Sequence, residues 1–267
     1  MKNRLAAAIC AATLLSGCAA SDSGETVRSG NGPESANTDN AGQGLDTASD
    51  EDAGSASVEP TTSPMLNIQG DLQIPDGEDG QLSVVVVGQA DPASGTVPVV
   101  IRNMTASPLA NLEVSGTARD GAGNLMGSGS SQGFAPELVN PGEWAFGYVY
   151  IDGVKAAKDT EFDFTATGSE PDDYLSSVDV EIVEVALTKG SFGDNLTGIL
   201  KNPTDQEVSG PIDVSAACFD KSGALVGTQG GFADSDSIAP GGTSSFSVDL
   251  FDDACEIFAM GASGYDF

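Results

Sequence analysis

The chain repeats itself, and the repeat constrains its fold more than any other feature. Val84–Asn103 (VVVVGQADPASGTVPVVIRN) aligns without a gap on Val183–Asn202 (VEVALTKGSFGDNLTGILKN). Val114–Gly127 (VSGTARDGAGNLMG) aligns in the same way on Val214–Gly227 (VSAACFDKSGALVG). Asn140-Pro141-Gly142, ahead of an apolar run, then matches Ala239-Pro240-Gly241. Self-similarity at a near-constant period is the mark of a duplicated structural unit, so whatever one copy folds into the other must also form. The copies fall at 66–171 and 172–267. Each is near the smallest size that builds its own core, so two small cores are expected rather than one large one.

Short runs of β-branched and apolar residues recur through both copies, broken by Gly, Pro, Asn, Asp and Ser. Leu82–Val87, Val97–Ile101, Leu109–Ala118, Trp144–Ile151 and Glu161–Thr167 are examples, and no stretch carries apolar residues at helical spacing. The expectation is an all-β chain of two tandem Ig-like β-sandwich domains. Asp120-Gly121-Ala122-Gly123 and Asp220-Lys221-Ser222-Gly223 sit between apolar runs and read as hairpin turns. There Asp bonds its own backbone and Gly supplies a positive φ. A calcium loop would need alternating oxygen ligands and a closing glutamate, which neither has. No metal or cofactor site is expected.

Strand, Asn, polar loop, strand, aromatic-Asp-x-x-Gly turn, strand, Pro-Gly, strand: this order resembles the FxLYD-type family of Ig-like β-sandwich domains in prokaryotic envelope proteins. The second copy carries the resemblance, in Gly198-Ile199-Leu200-Lys201-Asn202, in Phe219-Asp220-Lys221-Ser222-Gly223 and in Pro240-Gly241 ahead of Phe246. The first copy departs from it, with Arg119 where the aromatic stands. The resemblance implies an architecture and a cell-surface setting. Its motifs specify turns and core, and they bring no catalytic residues with them.

Lys2 and Arg4 precede an apolar or small run from Leu5 to Leu15, followed by Ser16-Gly17-Cys18. A charged start, a short apolar core and small residues before the cut make a secretory signal, and the run is too short to span a bilayer. Leu15-Ser16-Gly17-Cys18 resembles the bacterial lipobox, which implies that residues 1–17 are removed and that Cys18 carries two or three acyl chains. More than one chain is what stable anchoring requires. The expected setting is the outer face of the cell membrane or the outer membrane. Residues 18–65 are mostly Ser, Gly, Asp, Glu, Asn, Thr, Ala and Pro with almost nothing to bury, which predicts a disordered tether of roughly 40 Å reach.

Losing Lys2 and Arg4 with the signal takes the formal charge from −30 to −32. That charge repels nucleic acid and anionic head groups, so neither is an expected partner. The chain has no histidine, which removes Ser-His-Asp and Cys-His catalysis and His-ligated zinc. Of the four cysteines, Cys10 leaves with the signal and Cys18 is acylated. Cys218 and Cys255 remain, and in an exported chain they read as one disulfide. The function expected is non-enzymatic: display of two modules that bind an envelope or extracellular protein or ligand. The alternative is a structural accessory subunit of an envelope transporter or secretion assembly.

Trp144–Ile151 (WAFGYVYI) alternates between two faces as a strand. Matching Phe146 to Phe246 turns Phe146, Tyr148 and Tyr150 inward, as Phe246, Val248 and Leu250 are in the second copy. The outward set is then Ala145, Gly147, Val149 and Ile151, apolar where its twin is polar. Such a set needs a cover, which is either this chain (the 152–160 segment or the second copy) or a partner adding a strand. Matching on the Pro-Gly pairs instead shifts the register by one and exchanges the faces.

Overall fold

The computed structural model describes residues 61–152, 159–171, 177–190, 193–251 and 255–266, and every regular element in them is a strand. In chain order the first seven are β1 (Asn67–Gln69), β2 (Leu82–Val87), β3 (Thr96–Asn103), β4 (Ala110–Arg119), β5 (Leu125–Ala135), β6 (Trp144–Ile151) and β7 (Glu161–Ser169). The second seven are β8 (Ser177–Lys189), β9 (Asp194–Lys201), β10 (Val208–Phe219), β11 (Leu225–Ala233), β12 (Ser237–Ile238), β13 (Thr243–Asp249) and β14 (Ile257–Tyr265).

They make two antiparallel sheets whose orders match strand for strand. The first runs β2-β3-β6-β5-β4-β7. The second, once the short β1 and β12 are set aside, runs β14-β8-β9-β13-β11-β10, with β10 pairing back to β14. β8, β9, β13, β11, β10 and β14 thus stand where β2, β3, β6, β5, β4 and β7 do. One difference separates them. β14 bonds both β10 and β8, so the second ladder returns on itself. β7 bonds β4, and no ladder joins it to β2 among the described residues.

The same side chains hold equivalent loops in the two copies. Asn103 is fully buried at the end of β3, where its Nδ2 donates to the Ser107 and Val139 carbonyls and its Oδ1 accepts from Thr105. Asn202, also fully buried, donates to the Gln206 and Ile238 carbonyls and accepts from Thr204. A buried amide that satisfies both ends this way fixes the loop that follows the strand. The Asp-x-x-Gly segments are turns as expected. Asp120 Oδ1 accepts from the Ala122 and Asn124 amides and Gly123 takes φ +84°. Asp220 repeats this with Ser222 and Ala224, and Gly223 takes φ +81°.

Each sheet encloses its own apolar cluster: Val97, Val99, Ile101, Val114, Val149 and Ile151 in the first, and Leu196, Leu200, Val214, Phe246, Val248 and Leu250 in the second. A third cluster lies between the sheets. Val100, Trp144 and Phe146 on β3 and β6 pack there against Ala217, Phe219, Leu225 and Ala259 on β10, β11 and β14. The described residues consequently fall in one compact unit. This explains the departure at Arg119. Phe219 is buried under the first copy, whereas its counterpart Arg119 is exposed and has no such cover.

The lead-in departs from expectation. Residues 67–69 fall in the first copy by sequence, yet Asn67, Ile68 and Gln69 of β1 pair with Met260, Ala259 and Phe258 on β14 of the second sheet. Leu66, Ile68, Leu72 and Ile74 cover the third cluster, so burial and not sequence order decides where this segment lies. The docked chain already includes Thr61, whose amide donates to the Gly142 carbonyl. Arg102, 4% exposed, secures the same segment, donating to the Ile74, Pro75 and Thr61 carbonyls.

Candidate functional site

A cleft of about 340 Å³ opens where the two sheets meet, beside the third cluster. The first sheet supplies Gln132 and Phe134 from β5, Phe146 and Tyr148 from β6, and Glu137 from the connection between them. The second supplies Asp213 from β10, Thr228 and Gln229 from β11, and Ser263 from β14. Sheet geometry sets this arrangement. Phe146 and Tyr148 share one face of β6, since side chains alternate, and Phe146 is held down by the apolar contact with the second sheet. Glycine makes the close approach of the sheets possible, for a Cβ on Gly261 of β14 would lie 2.9 Å from Ala135 Cβ on β5.

Two carboxylates, Glu137 and Asp213, stand in the polar wall, and Asp179 lies beside them. Asp179 on β8, Ser263 on β14 and Asp213 on β10 lie in one cross-strand row, Ser263 being the register partner of both acids. Glu137 reaches into this row from the first sheet and accepts a hydrogen bond from Ser263 Oγ at 3.1 Å. The Glu137 and Leu138 amides donate to the two oxygens of Asp179, at 3.0 and 3.4 Å. Burial pushes the Asp179 carboxyl up to about 6, against the pull of those two amides, and the charges of Glu137 and Glu143 add to the rise. Asp213 is likewise held above the usual carboxylate range, by burial first and by Glu137 second. No lysine or arginine lines the cleft. None of the four ion pairs among the described residues engages Glu137, Asp179 or Asp213.

Cys218 and Cys255 are joined in a disulfide that ties β10 to the start of β14, with Cα atoms 4.7 Å apart. Cys18 lies outside the described residues, as do the signal and the tether to residue 60.

The face assigned to β6 is corrected. Ala145, Val149 and Ile151, expected outward, have no exposed surface and belong to the first sheet's own cluster; Gly147 is buried beside them. Phe146, expected inward, joins Trp144 in the third cluster, Tyr148 is partly exposed at the cleft, and Tyr150 is 43% exposed. The physical reason is register. β3 and β9 align without a gap, and the ladders set Val100 opposite Phe146 but Ile199 opposite Ser245, so Phe146 matches Ser245 and not Phe246. That is the Pro-Gly register. It was the available signal for the junction, since it sets Trp144 and Phe146 against Thr243 and Ser245, apolar against polar. For Glu137 and Asp213 no sequence signal exists: they come together only when the sheets do.

No protein-family model matches the chain, and no curated protein matches it.

Proposed function

We propose that the chain is a non-enzymatic lipoprotein of the bacterial cell envelope. In this reading Cys18 is acylated, the following residues form a tether, and the two copies are FxLYD-type Ig-like β-sandwich domains that bind a protein or ligand at the cell surface. The observation that carries it is the cleft, a concave site with aromatic and polar walls drawn from both copies. Its walls depart from the repeat, with Tyr148 where the second copy has Ser247.

A photo-crosslinking residue in place of Tyr148, in intact cells, is expected to trap a discrete adduct, while one at the exposed Thr243 traps none. Absence of an adduct at 148, with the protein at normal levels, overturns the binding role. Cys18→Ser is expected to abolish acylation and release the protein from membranes; retention through a high-salt wash overturns the anchor.

A further inference from the structure

We infer that the cleft takes a small organic cation, an ammonium or guanidinium head on a short aliphatic stem. The inference rests on the binding role proposed above and names its ligand class.

Three features of the cleft agree on that chemistry. The first is sign: Glu137 and Asp213 stand in the wall with no lysine or arginine among the lining residues. Burial and the neighbouring acid already disfavour the charge on Asp213, and an entering cation relieves both effects. An anion meets the opposite, and a neutral apolar ligand strips water from the acids without pairing them. The second is Tyr148, the partly exposed ring of the wall, set beside the buried Phe134 and Phe146. A ring face attracts organic cations and its edge covers an alkyl stem, so Tyr148 selects against a hydrated metal ion. The third is size. A cleft of about 340 Å³ is at the small end of ligand sites, suited to a diamine or an amino-guanidine and not to a nucleotide or a sugar chain.

The test is calorimetric titration of the full chain in detergent with agmatine at about 0.15 M salt, where attraction to a diffuse acidic surface is largely screened. Saturable binding of one agmatine per chain is expected. A Cβ added at Gly230, in the cleft wall, would meet nothing nearer than 3.9 Å, so Gly230→Phe fills the cleft without displacing backbone. Gly230→Phe and Asp213→Asn are each expected to weaken binding by about tenfold or more, the loss of one good contact. Asp163→Asn, an exposed acid on β7, is expected to change nothing. Unsaturable uptake, or equal affinity in all four proteins, overturns the inference. Should Gly230→Phe lower the melting temperature, Asp213→Asn alone decides. Nα-acetylarginine amide in the same titration identifies the source of the head group. Weaker binding than agmatine supports a free small molecule, and tighter binding places the cation on a polypeptide and overturns it. An adduct at position 148 without agmatine binding removes the ligand class and leaves the binding role standing.

Discussion

Asp179 shows how one residue makes the junction between the copies sensitive to acid. Its carboxyl titrates near 6 in the folded chain against 3.8 ordinarily, so the native state takes up the proton before the unfolded state does. Stability from this group therefore grows as pH falls through 6, is complete below about 3.8, and is absent at neutral pH. With no histidine in the chain, no imidazole titration obscures the change. Asp120 and Asp220 work in the opposite sense. The hydrogen bonds in their turns hold both below the usual range, so their contributions are lost in stronger acid. Thermal stability is expected to rise from pH 7 to pH 5 by about 1–2 kcal/mol from Asp179, allowing for its partial exposure. Asp179→Asn keeps an acceptor for one of the two amides and removes the charge, so it should flatten this limb without loss at pH 7. Melting curves of both proteins at the two pH values check this, and equal pH dependence in the two excludes Asp179 as the source.

Among the elements, β14 carries the difference between the sheets. It closes the second ladder by pairing with both β10 and β8, and the disulfide fixes its start to β10 across a separation of 37 residues. On the first sheet Ala118 of β4 stands where Cys218 does on β10, and β7, the counterpart of β14, joins no second strand among the described residues. Reduction is expected to cost roughly 3–4 kcal/mol through the freed chain entropy of the unfolded state, read as a fall in melting temperature. Alkylation of the denatured, unreduced protein should label neither Cys218 nor Cys255; label on both would mean that the bond does not form. Strands and turns of this kind were legible in advance because their causes are local. Leu82–Val87 and Trp144–Ile151 are bounded by residues that stop pairing, and Asp120 and Asp220 bond their own backbones. The faces of β6 were not legible from hydrophobicity, since Trp144 and Phe146 are buried against another sheet and Ala145, Val149 and Ile151 against their own. β1 was hidden for a similar reason: three residues carry little periodicity, and their partner strand is the last in the chain. The acids of the cleft were lost among the chain's forty.

At the largest scale, the two sheets are held as one unit by the cluster between them, so the two copies should melt in a single calorimetric transition. Trp144, 2% exposed there, has the exposed Thr243 as its counterpart, which makes Trp144→Thr a substitution the repeat itself tolerates. It is expected to cost about 3–5 kcal/mol at the junction and to split the transition in two. A single transition in the variant would show that the cluster does not couple the copies. The contact has a further property, which concerns assembly. It joins unlike surfaces, the β3–β6 side of one copy and the β10–β11–β14 side of the other, and is not self-complementary. A contact of that type leaves an unsatisfied half at each end, and matching halves on successive molecules generate open filaments. Here the half left on the first copy presents the exposed Arg119, and the half left on the second presents Thr243 and Ser245. Neither can reproduce the Trp144, Phe146 and Phe219 packing, so the head-to-tail series ends at two.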